Sequence, residues 1–125
     1  VVGLCQMDKL ADRVVRKKQI WQQYADQLAN CPQVKLFAHD LKITTPWFID
    51  TLVEKREALG AYLKTELIGT RVMYPPITQQ KVYDLAGSFP IAENIGKNGL
   101  WLPSSNQLTD ADITRICDVV KDFYA

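Results

Sequence analysis

The sequence lacks any long hydrophobic run: its most apolar stretch, around Trp47 to Val53, is short and broken by Asp50, far below the ~20 residues that span a bilayer. No membrane helix is expected. It also lacks an excess of charge of either sign, with 15 basic against 14 acidic side chains, so no strong field draws it toward nucleic acid or acidic lipid. Cysteine is scarce and odd in number. Cys5, Cys31 and Cys117 have neither the close spacing of a zinc site nor the even count of a secreted disulfide framework, and reduced cytoplasmic thiols fit them better. Cys5 and Cys117 fall on the apolar stripes of expected helices, where a thiol acts as a small buried hydrophobe. Gly-x-Gly-x-x-Gly, Walker, His-Glu-x-x-His and Gly-x-Ser-x-Gly patterns are all missing, which leaves nucleotide-cradling, zinc-protease and nucleophile-elbow chemistry without support. The one histidine, His39, sits in the polar connection Ala38-His39-Asp40 and reads as an exposed loop residue, with no partners for a metal site or a triad.

What is present is an ordinary globular composition, 47% hydrophobic and 23% charged over 125 residues. A chain of this length buries roughly two thirds of its unfolded surface, enough for one domain with its own core. Leu4, Met7, Leu10, Val14, Trp21, Tyr24 and Leu28 recur at helical spacing, which predicts one long amphipathic helix from Gly3 to Asn30, interrupted in its stripe by Lys17 and ended by Asn30 and Pro32. Alternation of Trp47, Ile49, Thr51 and Val53 against Phe48, Asp50 and Leu52 predicts a half-buried strand over Ile43 to Val53, with Pro46 at an edge or start. A helix is expected over Glu54 to Leu67, then a strand at Thr70 to Tyr74 stopped by Pro75-Pro76.

A short helical turn is expected around Gln80 to Leu85. Pro90 suits the first turn of a helix over Ile91 to Lys97, which Asn98-Gly99 ends. Leu100-Trp101-Leu102 is a short apolar run before Pro103. Thr109 is a good N-cap for a last helix that buries Ile113, Ile116, Val120 and Phe123, with Asp110 and Asp112 at the positive end of its dipole. The order of elements makes an α/β (α+β) layer, a short sheet covered by helices.

Three segments together are more specific: Leu67-Ile68-Gly69-Thr70-Arg71-Val72-Met73-Tyr74-Pro75-Pro76, Phe89-Pro90-Ile91-Ala92-Glu93-Asn94 and Gly99-Leu100-Trp101-Leu102-Pro103-Ser104-Ser105. In this order they resemble the C-terminal region of the DegT/StrS family of sugar aminotransferases, with its I-x-T-R-x-x-Y-P stretch, P-x-A-E helix and L-P-S turn. The opening Gly3-Leu4-Cys5-Gln6-Met7-Asp8-Lys9-Leu10 and the later Pro46-Trp47-Phe48 are similar to two further family segments, so the resemblance covers nearly the whole chain. The Leu102-Pro103-Ser104-Ser105 turn looks most like the branch that resembles perosamine synthases.

The resemblance implies the small C-terminal domain, residues 1–125, of a fold-type-I enzyme that uses pyridoxal phosphate, with residues 1–30 as a helix toward a larger domain. It implies a cytoplasmic homodimer moving an amino group, commonly from glutamate, onto a nucleotide-linked 4-keto-6-deoxy sugar. The family's Schiff-base lysine, pyridine-facing aspartate and phosphate-binding residues correspond to positions upstream of Val1. The chain is therefore expected to be part of a longer protein, inactive and without bound cofactor by itself, and it offers no catalytic or metal-ligating candidate. Substrate-binding candidates are Arg71, whose guanidinium suits a forked contact with an oxyanion, Tyr74 through its hydroxyl, and Ser104 in the turn. For each a structural role is the competing reading: an ion pair, a core tyrosine, a turn former. Many members carry histidine where Met73 or Thr78 stands, so the imidazole hydrogen bond of those members is not expected here. A non-catalytic interaction module that docks through the first helix is the alternative.

Overall fold

The computed structural model describes residues 2–83 and 87–125, apart from the side chains of Val2 and Cys5. The expected burial of Cys5 and the end of the Gln80–Leu85 turn thus lie outside the described residues.

The first helix is divided. Helix α1 spans Val2–Met7 and α2 spans Leu10–Leu28, with Asp8 and Lys9 in a turn between them, so a single helix from Gly3 to Asn30 is corrected. Leu4, Met7 and Leu10 are 75%, 62% and 47% exposed. With so little packing here, only weak intrinsic propensity holds the helix together, and Asp is a poor helix former. The buried stripe of α2 is Ile20, Tyr24 and Leu28, one residue per turn on one face; Ile20 replaces the N-terminal half of the stripe expected from spacing.

Among the described residues the sheet has four strands: β1 Val34–Leu36, β2 Ile49–Val53, β3 Arg71–Val72 and β4 Gly99–Leu102. Their order is β1-β2-β4-β3 and every pair is antiparallel. Strand β2 is shorter than Ile43 to Val53 because the preceding chain turns: Ile43 and Thr44 donate their N–H groups to the Asp40 carbonyl, and Lys42 N–H to the Asp40 carboxylate. Pro46, buried, has no N–H for a ladder. Strand β3 keeps two of the expected five residues because it lies at the edge and Pro75-Pro76 follows two residues beyond it.

Helix α3, Arg56–Thr65, buries Leu59 and Leu63. Two short 3-10 turns, Ile77–Gln79 and Lys81–Tyr83, take the place of the helical turn expected around Gln80. Helix α4, Pro90–Asn98, has its proline in the first turn, and α5, Asp110–Tyr124, buries Ile113, Ile116, Cys117 and Val120. At Gly99, where α4 passes directly into β4, a Cβ would strike the Ile95 carbonyl oxygen and the Met73 side chain; only glycine permits that approach.

Ile49, Thr51 and Val53 of β2 with Leu100 and Leu102 of β4 are buried in one core with residues of α2, α3 and α5. Buried Thr51 donates its hydroxyl to the Leu100 carbonyl at 2.7 Å, and buried Tyr24 donates to the Pro103 carbonyl at 3.0 Å, which satisfies polar groups that burial would otherwise penalise. Burial pushes the Cys117 thiol up to about 12, so it is an inert core residue. The alternate residues Phe48, Asp50, Leu52 and Trp101 are only half-buried. Period-two alternation puts them on the opposite face, the one left for function. Among the described residues no helix is long and apolar enough to cross a membrane.

Candidate functional site

Strand register builds the site. Asp50 of β2 pairs with Trp101 of β4, and Trp101 pairs with Arg71 of β3, so three side chains form a row across the open face. Trp101 donates its indole N–H to Asp50 Oδ1 at 2.6 Å. Phe48 stacks on the same indole, centroids 4.5 Å apart and planes at 18°, while Tyr74 meets it edge-on at 5.3 Å and 81°. The Arg71 guanidinium lies 5.2 Å from the Tyr74 centroid and 5.6 Å from that of Trp101, and its Nη2 donates to the Tyr74 hydroxyl at 2.9 Å.

Arg71 and Tyr74, separate candidates in the sequence, are in contact in the structure. Arg71 has no carboxylate partner among the described residues. A guanidinium laid over two electron-rich rings is held in place without being neutralised. Its remaining N–H groups are then free for a forked contact with a carboxylate or phosphate.

His39 is not the exposed loop residue expected. It is half-buried, its ring stands edge-on to Trp21 at 5.7 Å, and its Nε2 lies 3.9 Å from Asp50 Oδ2. The connection after β1 folds back beside β2, with Phe37 N–H donating to the Asp50 carbonyl at 3.0 Å, and carries His39 with it. Among the described residues no group of three His, Cys, Asp or Glu side chains is placed to hold a metal.

Ser104 lies with a different set of residues. Its hydroxyl is 3.4 Å from the Trp47 carbonyl and 3.4 Å from Lys17 Nζ. Lys17, which breaks the apolar stripe of its helix, donates to the Trp47 and Ser104 carbonyls at 2.8 and 2.5 Å and so pins the turn after β4 to α2. Burial lowers its pKa. Lys17, Trp47, Leu10 and Val14 line a groove of about 350 Å³, and Trp47 meets Phe48 edge-on at 6.3 Å, joining the groove to the aromatic face.

Asp50, Phe48 and Trp101 were not nominated from sequence. Alternation over 47–53 put Phe48 and Asp50 on one face, but that Trp101 lies beside them depends on a pairing between residues 51 positions apart.

The profile of the DegT/DnrJ/EryC1/StrS aminotransferase family matches residues 1–121. A GDP-perosamine synthase of Escherichia coli is 30% identical over 128 residues, covering 99% of this chain and 35% of that protein. A DegT DnrJ EryC1 StrS aminotransferase of Brucella abortus superimposes with a TM-score of 0.87 at 25% identity, over 98% of this chain and 34% of its own. DesV of S. venezuelae, solved with a ketimine intermediate, gives 0.88 at 24% identity over 98% and 34%, a likeness of fold. The chain thus spans about a third of the length of these relatives. It belongs to the DegT/DnrJ/EryC1/StrS aminotransferase family, whose members work with pyridoxal phosphate.

Proposed function

We propose that these residues are the small C-terminal domain of a nucleotide-sugar aminotransferase, and that their open sheet face closes over the substrate. The amino group would pass from a donor such as glutamate to a nucleotide-linked 4-keto-6-deoxy sugar, in a cytoplasmic homodimer whose larger domain is reached through residues 1–30. Family membership and the likeness to a GDP-perosamine synthase support this. The observation that carries it is the un-neutralised Arg71 guanidinium held against Tyr74 and Trp101, since every substrate of such a reaction bears a carboxylate or phosphate. Tyr74, 65% exposed, adds a hydroxyl beside it. Ser104 belongs to the same reading: its 3.4 Å contacts are weak hydrogen bonds, which leaves its hydroxyl able to turn to a sugar oxygen.

Bound pyridoxal phosphate supplies the electron sink for such a transfer. We propose no residue of this chain as its covalent holder. Lys17 has the burial a Schiff-base lysine needs, but its ammonium is engaged by two carbonyl oxygens, and Lys121 is paired with Asp118 at 2.8 Å. In this reading the lysine that bonds the cofactor belongs to protein outside these residues.

An interaction module docking through the first helices is the second reading, favoured by the exposure of Leu4, Met7 and Leu10. One experiment separates the two. The 125-residue chain mixed with pyridoxal phosphate should give no borohydride-trappable adduct and no band near ~420 nm, whereas the product of the whole reading frame should give both and transfer an amino group to the keto sugar. A stoichiometric adduct on the short chain, or a whole product without cofactor or activity, would overturn the proposal.

A further inference from the structure

The row Asp50–Trp101–Arg71 holds more than a binding arginine. Asp50 and Arg71 lie on either side of β4, and their side chains form no ion pair. Its carboxylate instead accepts the Trp101 indole N–H at 2.6 Å, at the short end for a charge-assisted bond. That bond fixes the rotation of the indole, Phe48 stacks on it, and Arg71 lies over it.

We propose that Asp50 is a positioning residue which, by locking the Trp101 indole, holds the Arg71 guanidinium as a pre-oriented site for one oxyanion. This rests on the reading of Arg71 given above. A free arginine side chain loses much rotamer freedom when it binds a ligand; one already laid on a locked indole loses less. Asp50 thus strengthens anion binding although its own charge opposes it. That opposition gives the test its sign. If Asp50 acted only through its field, removing the carboxylate would tighten anion binding; if it acts by orienting the indole, removal weakens binding.

The experiment follows backbone amide shifts of Arg71 to Tyr74 in ¹H–¹⁵N spectra of the 125-residue chain, titrated at fixed ionic strength with inorganic phosphate and, separately, glutarate. The two probes separate a phosphate from a carboxylate source. Saturable binding of at least one is expected, and Arg71→Lys should abolish it by removing the planar fork. Asp50→Asn keeps an oxygen acceptor and should bind at least as tightly as wild type. Asp50→Leu should weaken binding about tenfold, the scale of one hydrogen bond to a charged group. Trp101→Phe, which keeps an aromatic ring under the guanidinium but has no N–H, should repeat that loss and serves if Asp50→Leu does not fold. Equal or tighter binding by Asp50→Leu or Trp101→Phe overturns the positioning role and leaves the Arg71 site standing. No binding of either anion by the wild type, or binding unchanged in Arg71→Lys, overturns both.

Discussion

At the residue scale, the fold imposes a strained backbone conformation at Leu67. Leu67 is 92% exposed yet has a left-handed backbone, φ 59°, where a Cβ costs roughly 1–2 kcal/mol. Ile68 behind it is buried, and its N–H bonds to the Leu63 carbonyl at 2.8 Å, so the turn out of α3 imposes that conformation. Leu67→Gly should therefore raise stability by about 0.5 kcal/mol in urea unfolding, the relieved strain less the entropy that glycine adds to the unfolded chain. A loss instead would mean that the leucine side chain makes stabilising contacts of its own. The buried thiols carry no such tension: burial raises both Cys31 and Cys117, which makes them poor nucleophiles.

At the element scale, α5 is secured at its start. Thr109 Oγ1 accepts the Asp112 N–H at 3.2 Å while the Asp112 carboxylate accepts the Thr109 N–H at 2.8 Å, a capping box. Arg16 reaches across from α2, donating to Asp110 at 2.8 Å and to the Leu108 carbonyl at 2.6 Å. Hydrogen bonds from Arg16 hold Asp110, and hydrogen bonds from Thr109 hold Asp112, below the usual carboxylate range. A depressed folded-state pKa adds stability above the unfolded value of ~4, and that share disappears as pH falls through the folded value. Thr109→Ala should cost about 1 kcal/mol at pH 7, and the deficit should shrink below pH ~4 as Asp112 protonates in both proteins; a deficit constant down to pH ~2 would contradict this.

This cap was legible in the sequence because its signals lie within four residues. So were α4, with its proline and glycine at opposite ends, and the buried stripe of α5. The break at Asp8-Lys9 was not, since periodicity reports which face is apolar and says nothing of whether anything covers it. The short β2 and β3 were overdrawn because pattern alone does not reveal where a turn or an edge ends pairing. Arg71 and Tyr74 were readable as unusual residues beside a strand. Their platform was not, because Trp101 and Asp50 become neighbours only through non-local register.

At the scale of the whole molecule, the sheet has one face sealed by helices and another furnished with aromatic rings, a carboxylate and an un-neutralised guanidinium. The second face makes physical sense as part of a larger site, consistent with a chain that spans about a third of its relatives. The polar groups on it are oriented by one another, so little has to be reordered when a ligand arrives. The exposed apolar residues of α1 and the start of α2 fit the same picture, as surface that a larger domain would cover. The most direct measurement is steady-state amino transfer by the full-length protein with and without Arg71→Ala. If Arg71 binds a substrate oxyanion, the variant raises KM for one charged substrate roughly 10- to 100-fold, the loss of a charge-assisted contact, with folding and cofactor absorbance intact; kinetics indistinguishable from wild type would contradict that role.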